Sequence, residues 1–143
     1  MSKVSEIVHE KGGVLYRVDA DASVLDAVKA MVEANVGSLL VTEEGDIVGI
    51  VTERDYLRRV TLEGRDERTT AVREIMTSPL VVVTPDTEVE ECMALMTERR
   101  IRHLPVAVEG NVIAIVSIGD LVKFISSRQS FELRYLHEYI SAG

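Results

Sequence analysis

The sequence predicts an α+β fold made of two copies of one unit, each running strand, helix, strand, strand, helix, with a further helix at the C-terminal end. Three observations carry that prediction. Residues 18–60 align without a gap on residues 83–125 at an offset of 65, and twelve of the forty-three pairs are identical; unrelated sequence of ordinary composition gives roughly three. Both copies switch between strand-like and helix-like hydrophobic spacing in the same order. The 143 residues, 46% of them hydrophobic, suffice to bury roughly two thirds of the surface the unfolded chain exposes.

The elements follow in order. Val4-Ser5-Glu6-Ile7-Val8 echoes Val72-Arg73-Glu74-Ile75-Met76 at an offset of 68, so the repeats extend to 4–60 and 72–127; three extra residues near Lys11-Gly12-Gly13 account for the change of offset. Leu15–Val18 and Leu80–Val83 read as first strands, the second just after a proline that disfavours helix before it. Val24, Ala27, Val28, Met31 and Val32 recur at helical spacing. So do Val89, Cys92, Met93 and Met96, after a Thr87-x-x-Glu90 capping box. Ser38–Val41 and Ile47–Val51 flank a Glu44-Gly45 turn, and Leu104–Ala107 and Val112–Val116 flank Glu109-Gly110, so each copy carries a hairpin. The nearly continuous apolar second strands imply cover on both faces. A second helix starts at Thr52 or Ser117 and turns Tyr56-Leu57 or Leu121-Val122 inward. Residues 61–71, polar and charged, read as a linker.

One such unit is too short to offset its ordering entropy alone. Two are expected to pack with pseudo-twofold symmetry, which would create two equivalent clefts suited to ligands. Sixteen Lys and Arg against twenty-four Asp and Glu give a net charge of -8, which argues against nucleic acid or an anionic membrane as partner. No apolar run approaches the roughly 20 residues of a spanning helix, and the first residues lack the apolar core of a secretory signal; a cytoplasmic protein is expected. One cysteine and three scattered histidines offer neither a disulfide nor metal-ligand spacing.

The chemistry concentrates where the last strand of each copy meets its last helix: Gly49-Ile50-Val51-Thr52-Glu53-Arg54-Asp55 and Ala114-Ile115-Val116-Ser117-Ile118-Gly119-Asp120. A hydroxyl followed three residues later by aspartate is close to a capping box, and capping alone would explain it. The same helix start suits a nucleotide: free amides and the hydroxyl for a phosphate, an acceptor-only carboxylate for a ribose diol, and a small residue, Gly49 or Ala114, to let a flat base approach the strand. Capping and binding are compatible, since a carboxylate has several lone pairs.

The doubled unit, the two hydroxyl-x-x-Asp motifs, Val41-Thr42 and Leu104-Pro105-Val106 before the turn, and Ile50-Val51-Thr52 or Ile115-Val116-Ser117 after it resemble a tandem pair of CBS domains over residues 4–127. The strings Ile50–Arg58 and Arg100–Val106 look like stand-alone CBS-pair proteins of bacteria and plant organelles. The resemblance implies a Bateman module that senses AMP, ADP or ATP, or else NAD or S-adenosylmethionine, without catalytic activity. It assigns ribose to Asp55 and Asp120, phosphate or ribose to Thr52 and Ser117, and adenine to strand backbone, with Ser38 in the same site. It also implies a homodimer acting in trans on an unknown client protein. With Ala114 in place of the glycine often found there, and Ala20 against Pro85, the two clefts need not bind equally well.

Basic residues gather near the motifs: Arg54, Arg58 and Arg59 on one helix, and Arg99, Arg100, Arg102 and His103 ahead of a strand. As a cluster they suit phosphate, although any one arginine also fits a solvated face pairing with glutamates. His103 fits either a ligand contact or a satisfied interior histidine. Cys92 reads as a small core residue. In 128–143, Phe131, Tyr135, Leu136, Tyr139 and Ile140 form one stripe, suited to a dimer or core contact or to a client. A ligand-free dimeric scaffold is the alternative function. For an enzyme there is no catalytic triad, no Cys/His pair and no phosphate loop.

Overall fold

The computed structural model describes residues 2–127, and the C-terminal helix expected over 128–143 lies outside them. In chain order the elements are α1 (Val4–Lys11), β1 (Arg17–Asp19), α2 (Val24–Ala34), β2 (Ser38–Glu43), β3 (Asp46–Thr52), α3 (Glu53–Tyr56), α4 (Val89–Arg99), β4 (His103–Val108), β5 (Asn111–Ser117) and α5 (118–127). A wide helical turn, Leu57–Thr61, continues α3, and a tight turn spans Val72–Glu74. The chain forms two compact units that cut across the repeats: residues 14–81 make one, and residues 2–13 with 82–127 make the other.

In the 14–81 unit the sheet order is β1-β2-β3. β1 runs parallel to β2 with Val18 opposite Val41, and β2 pairs antiparallel with β3, Ser38 opposite Thr52. The Ser23 hydroxyl accepts the Asp26 amide at 3.1 Å and starts α2; Asn35, in the left-handed region at φ 55°, ends it. Between these ends Val24, Ala27 and Met31 face Leu39, Val41 and Val51, while Val60, Val72 and Ile75 close the core. Each such side chain taken from water contributes roughly 1.5–3 kcal/mol.

In the other unit β4 and β5 form a hairpin with His103 opposite Ser117. It repeats the β2–β3 register, and the bulge also recurs: it lies after Val41 in one hairpin and after Val106 in the other. Both turns place two consecutive residues at positive φ, Glu44-Gly45 at 51° and 86° and Glu109-Gly110 at 49° and 81°, the geometry that matches strand twist in a two-residue turn. α4 buries Val89, Cys92 and Met96, and α1 buries Val4 and Ile7.

Residues 2–11 and 70–76 are equivalent arms, each packed on the body of the other repeat. The Val4 amide donates to Thr87 O, Ser5 to Pro85 O, and Val89 to Ser2 O; in the 14–81 unit Val72 donates to Ala22 O, Arg73 to Ala20 O, and Val24 to Thr70 O. The segment 61–71 is likewise tied to its unit. Leu25 N donates to Glu67 O and the Tyr56 hydroxyl to the Glu67 carboxylate at 2.6 Å.

Four local expectations change. The strand expected at Leu80–Val83 shrinks to a single parallel bridge from Val83 to Val106, which keeps the Val18–Val41 pairing. Thr87 does not cap α4: its hydroxyl accepts the Thr84 amide at 3.1 Å within a turn, and the N-cap position is one residue later, at Glu88. Leu57 and Val122 point outward, 57% and 47% exposed, although Leu121 is fully buried. In β5, Ile113 is exposed, so cover on both faces is incomplete there.

Candidate functional site

Each unit carries one strand-to-helix junction, and the two are built alike. In the 14–81 unit Thr52 ends β3 and caps α3. Its hydroxyl accepts the Asp55 amide at 3.2 Å, and its own amide and hydroxyl donate to Asp55 Oδ2 at 3.0 and 3.1 Å. In the other unit Ser117 accepts the Asp120 amide at 3.0 Å and donates its amide to Asp120 Oδ2 at 2.8 Å. The capping reading therefore holds at both junctions. Ser38 stands opposite Thr52, and His103 opposite Ser117.

Two features expected of a phosphate cradle are absent. The Glu53 amide donates to Gly37 O at 3.1 Å and Ile118 to Arg102 O at 2.8 Å, so with Asp55 and Asp120 two first-turn amides at each junction are already engaged. Nor is the strand beside Gly49 open to a base, because a Cβ there would meet Thr77 O at 2.8 Å and Met76 Sδ at 2.9 Å. The glycine makes room for the chain's own arm.

The arm reaches equivalent acceptors in both units, by different chemistry. In the 14–81 unit Thr77 donates its amide to Ile50 O at 2.8 Å and its hydroxyl to Asp55 Oδ1 at 3.5 Å. In the other, α1 continues to Lys11, whose ammonium donates to Ile115 O at 2.7 Å and to Asp120 Oδ2 at 2.6 Å. Ile50 and Ile115, like the two aspartates, are equivalent across the repeat. Lys11 and Thr77 escaped the sequence reading. The sole hint of Lys11 was that it opens the three-residue insertion.

The two carboxyls consequently shift in opposite directions. Burial raises Asp55 above the usual carboxylate value, opposed by the Thr52 bonds, the Arg59 charge and the Thr77 bond. Burial also pushes Asp120 up, but the Lys11 and Ser117 hydrogen bonds and the Lys11 charge outweigh it and hold the carboxyl low. His103 is pushed down by burial and by Lys11 and Arg102, against the pull of Asp120; its Nδ1 is buried without a hydrogen-bond partner. The interior-histidine reading would have it satisfied.

The arginines are more dispersed. Arg59, on the turn after α3, donates to Ile75 O and Met76 O at 3.3 and 3.4 Å and lends its field to Asp55. Arg54 lies half-buried in α3, and Arg100 is the exposed, left-handed residue ending α4. Arg102 is exposed, and its charge reaches His103. Among the described residues no cluster of His, Cys, Asp and Glu could hold a metal ion, and no helix is long and apolar enough to cross a membrane.

Comparison with known proteins fits this geometry. The family model for the CBS domain matches twice, over residues 4–61 and 72–127. The chain is 42% identical to the mitochondrial CBS domain-containing protein CBSX3 of Arabidopsis thaliana, across 98% of this chain and 72% of the relative. A solved protein with CBS domains from Burkholderia ambifaria MC40-6 superimposes with a TM-score of 0.86 at 46% identity, covering 90% of this chain and 96% of that one. The CBS domain pair of protein MJ0100, solved with 5′-methylthioadenosine and S-adenosyl-L-methionine, shares the fold at a TM-score of 0.77 and 22% identity, covering 90% and 98%. With two matched repeats, each carrying its own capped hydroxyl-x-x-Asp junction, the chain belongs to the CBS domain family.

Proposed function

We propose that this protein is a non-catalytic regulatory module that binds an adenosine-containing ligand at its Asp55 and Asp120 junctions and passes the signal to a partner protein in trans. The observation that carries the reading is how each aspartate is bonded: the capping bonds converge on Oδ2 in both. A carboxylate accepts about four hydrogen bonds, so Oδ1 keeps capacity for ribose hydroxyls while the cap stays intact. The adenosine ligands of the MJ0100 domain pair support the ligand class. Lys11 supplies a positive charge on Asp120, and His103, within reach of the Asp120 and Arg102 charges, supplies a donor, which favours AMP, ADP or ATP there. NAD and S-adenosylmethionine remain in the tested set.

A ligand-free scaffold is favoured by a different observation: two first-turn amides are engaged at each junction, and at the Asp55 junction the strand at Gly49 is covered as well. Thermal unfolding against AMP, ADP, ATP, NAD and S-adenosylmethionine separates the two. A ligand at 100 times its Kd adds about 2.7 kcal/mol, so one of these compounds raises Tm, and the rise disappears in the Asp55→Ala/Asp120→Ala double variant. No shift with any of them, in protein free of copurified nucleotide, establishes the scaffold.

The module is also proposed to self-associate. On the 14–81 unit a groove of about 460 Å³ is lined by Val28, Met31, Val32, Val36, Tyr56 and Leu57, among others. Val32 and Leu57 on its rim are 74% and 57% exposed, apolar side chains a second copy would cover.

A further inference from the structure

We propose that Lys11 makes the Asp120 site selective for phosphorylated ligands, acting as a cationic latch that a bare nucleoside cannot open without loss. This rests on the nucleotide reading above and concerns the regulation of one of its two sites.

In the structure one oxygen of the carboxylate assigned to the ribose diol, Asp120 Oδ2, already holds Lys11 as well as the Ser117 amide. The Lys11 ammonium sits 2.6 Å from Asp120 Oδ2 and 2.7 Å from Ile115 O, and its bond and charge, with the Ser117 bonds, hold the carboxyl ionised against the effect of burial. A ribose diol that engages both oxygens of Asp120 competes with this ion pair at Oδ2. A nucleoside offers only neutral hydroxyls in exchange, so Lys11 is displaced without a new anion. A nucleotide brings its own: phosphate can receive the ammonium as the ribose hydroxyls reach Asp120, and the lysine exchanges one anion for another. Its four-carbon stem has the freedom for this swing, and the Lys11 and Asp120 side chains, 41% and 26% exposed, are open enough to permit it. His103 lies within the field of both members of the pair, and Arg102 also acts on it.

The companion site lacks the device. There the equivalent carbonyl and carboxylate are met by Thr77, through a backbone amide and a neutral hydroxyl at 3.5 Å. Displacing that hydroxyl from Asp55 costs a weak neutral contact, with no ion pair to break. The same fold thus offers a junction gated by charge and a junction gated by backbone, and the gated one demands phosphate.

The experiment is calorimetric titration of the full chain with adenosine and with AMP in an Asp55→Ala background, so that only the Asp120 site is read. The wild-type latch prefers AMP. Lys11→Met, which keeps the aliphatic stem, should bind AMP about tenfold or more weakly, the scale of a lost charge-assisted hydrogen bond, while adenosine binding holds or tightens; Lys11→Arg should retain the preference. A Lys11→Met protein with the wild-type AMP-to-adenosine ratio overturns the latch and leaves nucleotide binding standing. Undiminished binding in Asp55→Ala/Asp120→Ala overturns the nucleotide site itself, and this inference with it. A readout that needs no ligand accompanies these: the Asp120 carboxyl, followed by carbon NMR, should titrate at higher pH in Lys11→Met, and an unmoved titration overturns the latch.

Discussion

Asp55 and Asp120 occupy equivalent positions and make equivalent caps, yet their protonation equilibria point in opposite directions, so they should respond oppositely to neutralisation. The folded chain raises Asp55 above 3.8; its contribution to stability is present below that value and is lost as pH rises through the folded pKa. It lowers Asp120 below 3.8; that contribution is present above the unfolded value and is lost as pH falls through the folded one. At pH 7, therefore, Asp120→Asn should destabilise by about 1 kcal/mol, the scale of a partly exposed ion pair, whereas Asp55→Asn should leave the midpoint unchanged or raise it. As pH falls below 3.8 and through the lower folded value the Asp120→Asn deficit should shrink. Urea denaturation at pH 7 and over this acid range measures both, and an Asp55→Asn deficit as large as that of Asp120→Asn at pH 7 refutes the burial argument. At this scale the sequence was informative about Asp55, Asp120, Thr52 and Ser117 because each motif is local. It was silent on Lys11 and Thr77, which reach their acceptors from 109 and 22 residues away.

Elements inherit their limits from the repeat. Ser23 and Glu88 are equivalent, and each is the residue from which its helix departs; the copy was a better guide to the start of α4 than the Thr87-x-x-Glu90 pattern, because Thr87 spends its hydroxyl on the Thr84 turn. Glu88 gives α4 no side-chain cap, which makes it the more weakly started of the pair. The hairpins were legible down to their turn residues, since Glu-Gly at two consecutive positive φ values is a local requirement. Which way Leu57 faces was not, because a wide helical turn begins at that residue and breaks the 3.6-residue spacing. Its exposure completes the apolar rim with Val32, and this predicts self-association through the α2–α3 face. Val32→Glu and Leu57→Glu should each shift a dimer toward monomer in light scattering, with Tm little changed because neither side chain is buried in its own unit. A wild-type monomer at micromolar concentration, or glutamate variants that associate as the wild type does, rejects this face as the contact.

Across the whole molecule, the compact unit is not the unit that repeats. An internal alignment identifies residues 4–8 with 72–76 but contains no term for which copy a segment packs upon, and both assignments leave the same hydrophobic pattern. The hydrogen bonds decide it: Val72 and Arg73 donate to Ala22 and Ala20, and Val4 and Ser5 to Thr87 and Pro85. The first repeat taken in register therefore lacks Val72 and Ile75, both fully buried in the 14–81 core, and carries instead Val4 and Ile7, buried in the other unit. Losing two such side chains exposes their neighbours at a cost of several kcal/mol, comparable to the whole stability of a chain this short. A fragment of residues 14–81 should accordingly show a cooperative thermal transition by circular dichroism, and a fragment of residues 4–60 should not. Within the longer fragment Ile75→Ala should lower the midpoint sharply, while Ile7→Ala in the intact chain should act on the Asp120 junction, since α1 carries both that anchor and Lys11. If 4–60 melted as cooperatively as 14–81, the arm would be dispensable to the core, and the exchange of arms would be a connection between units and not part of what folds them.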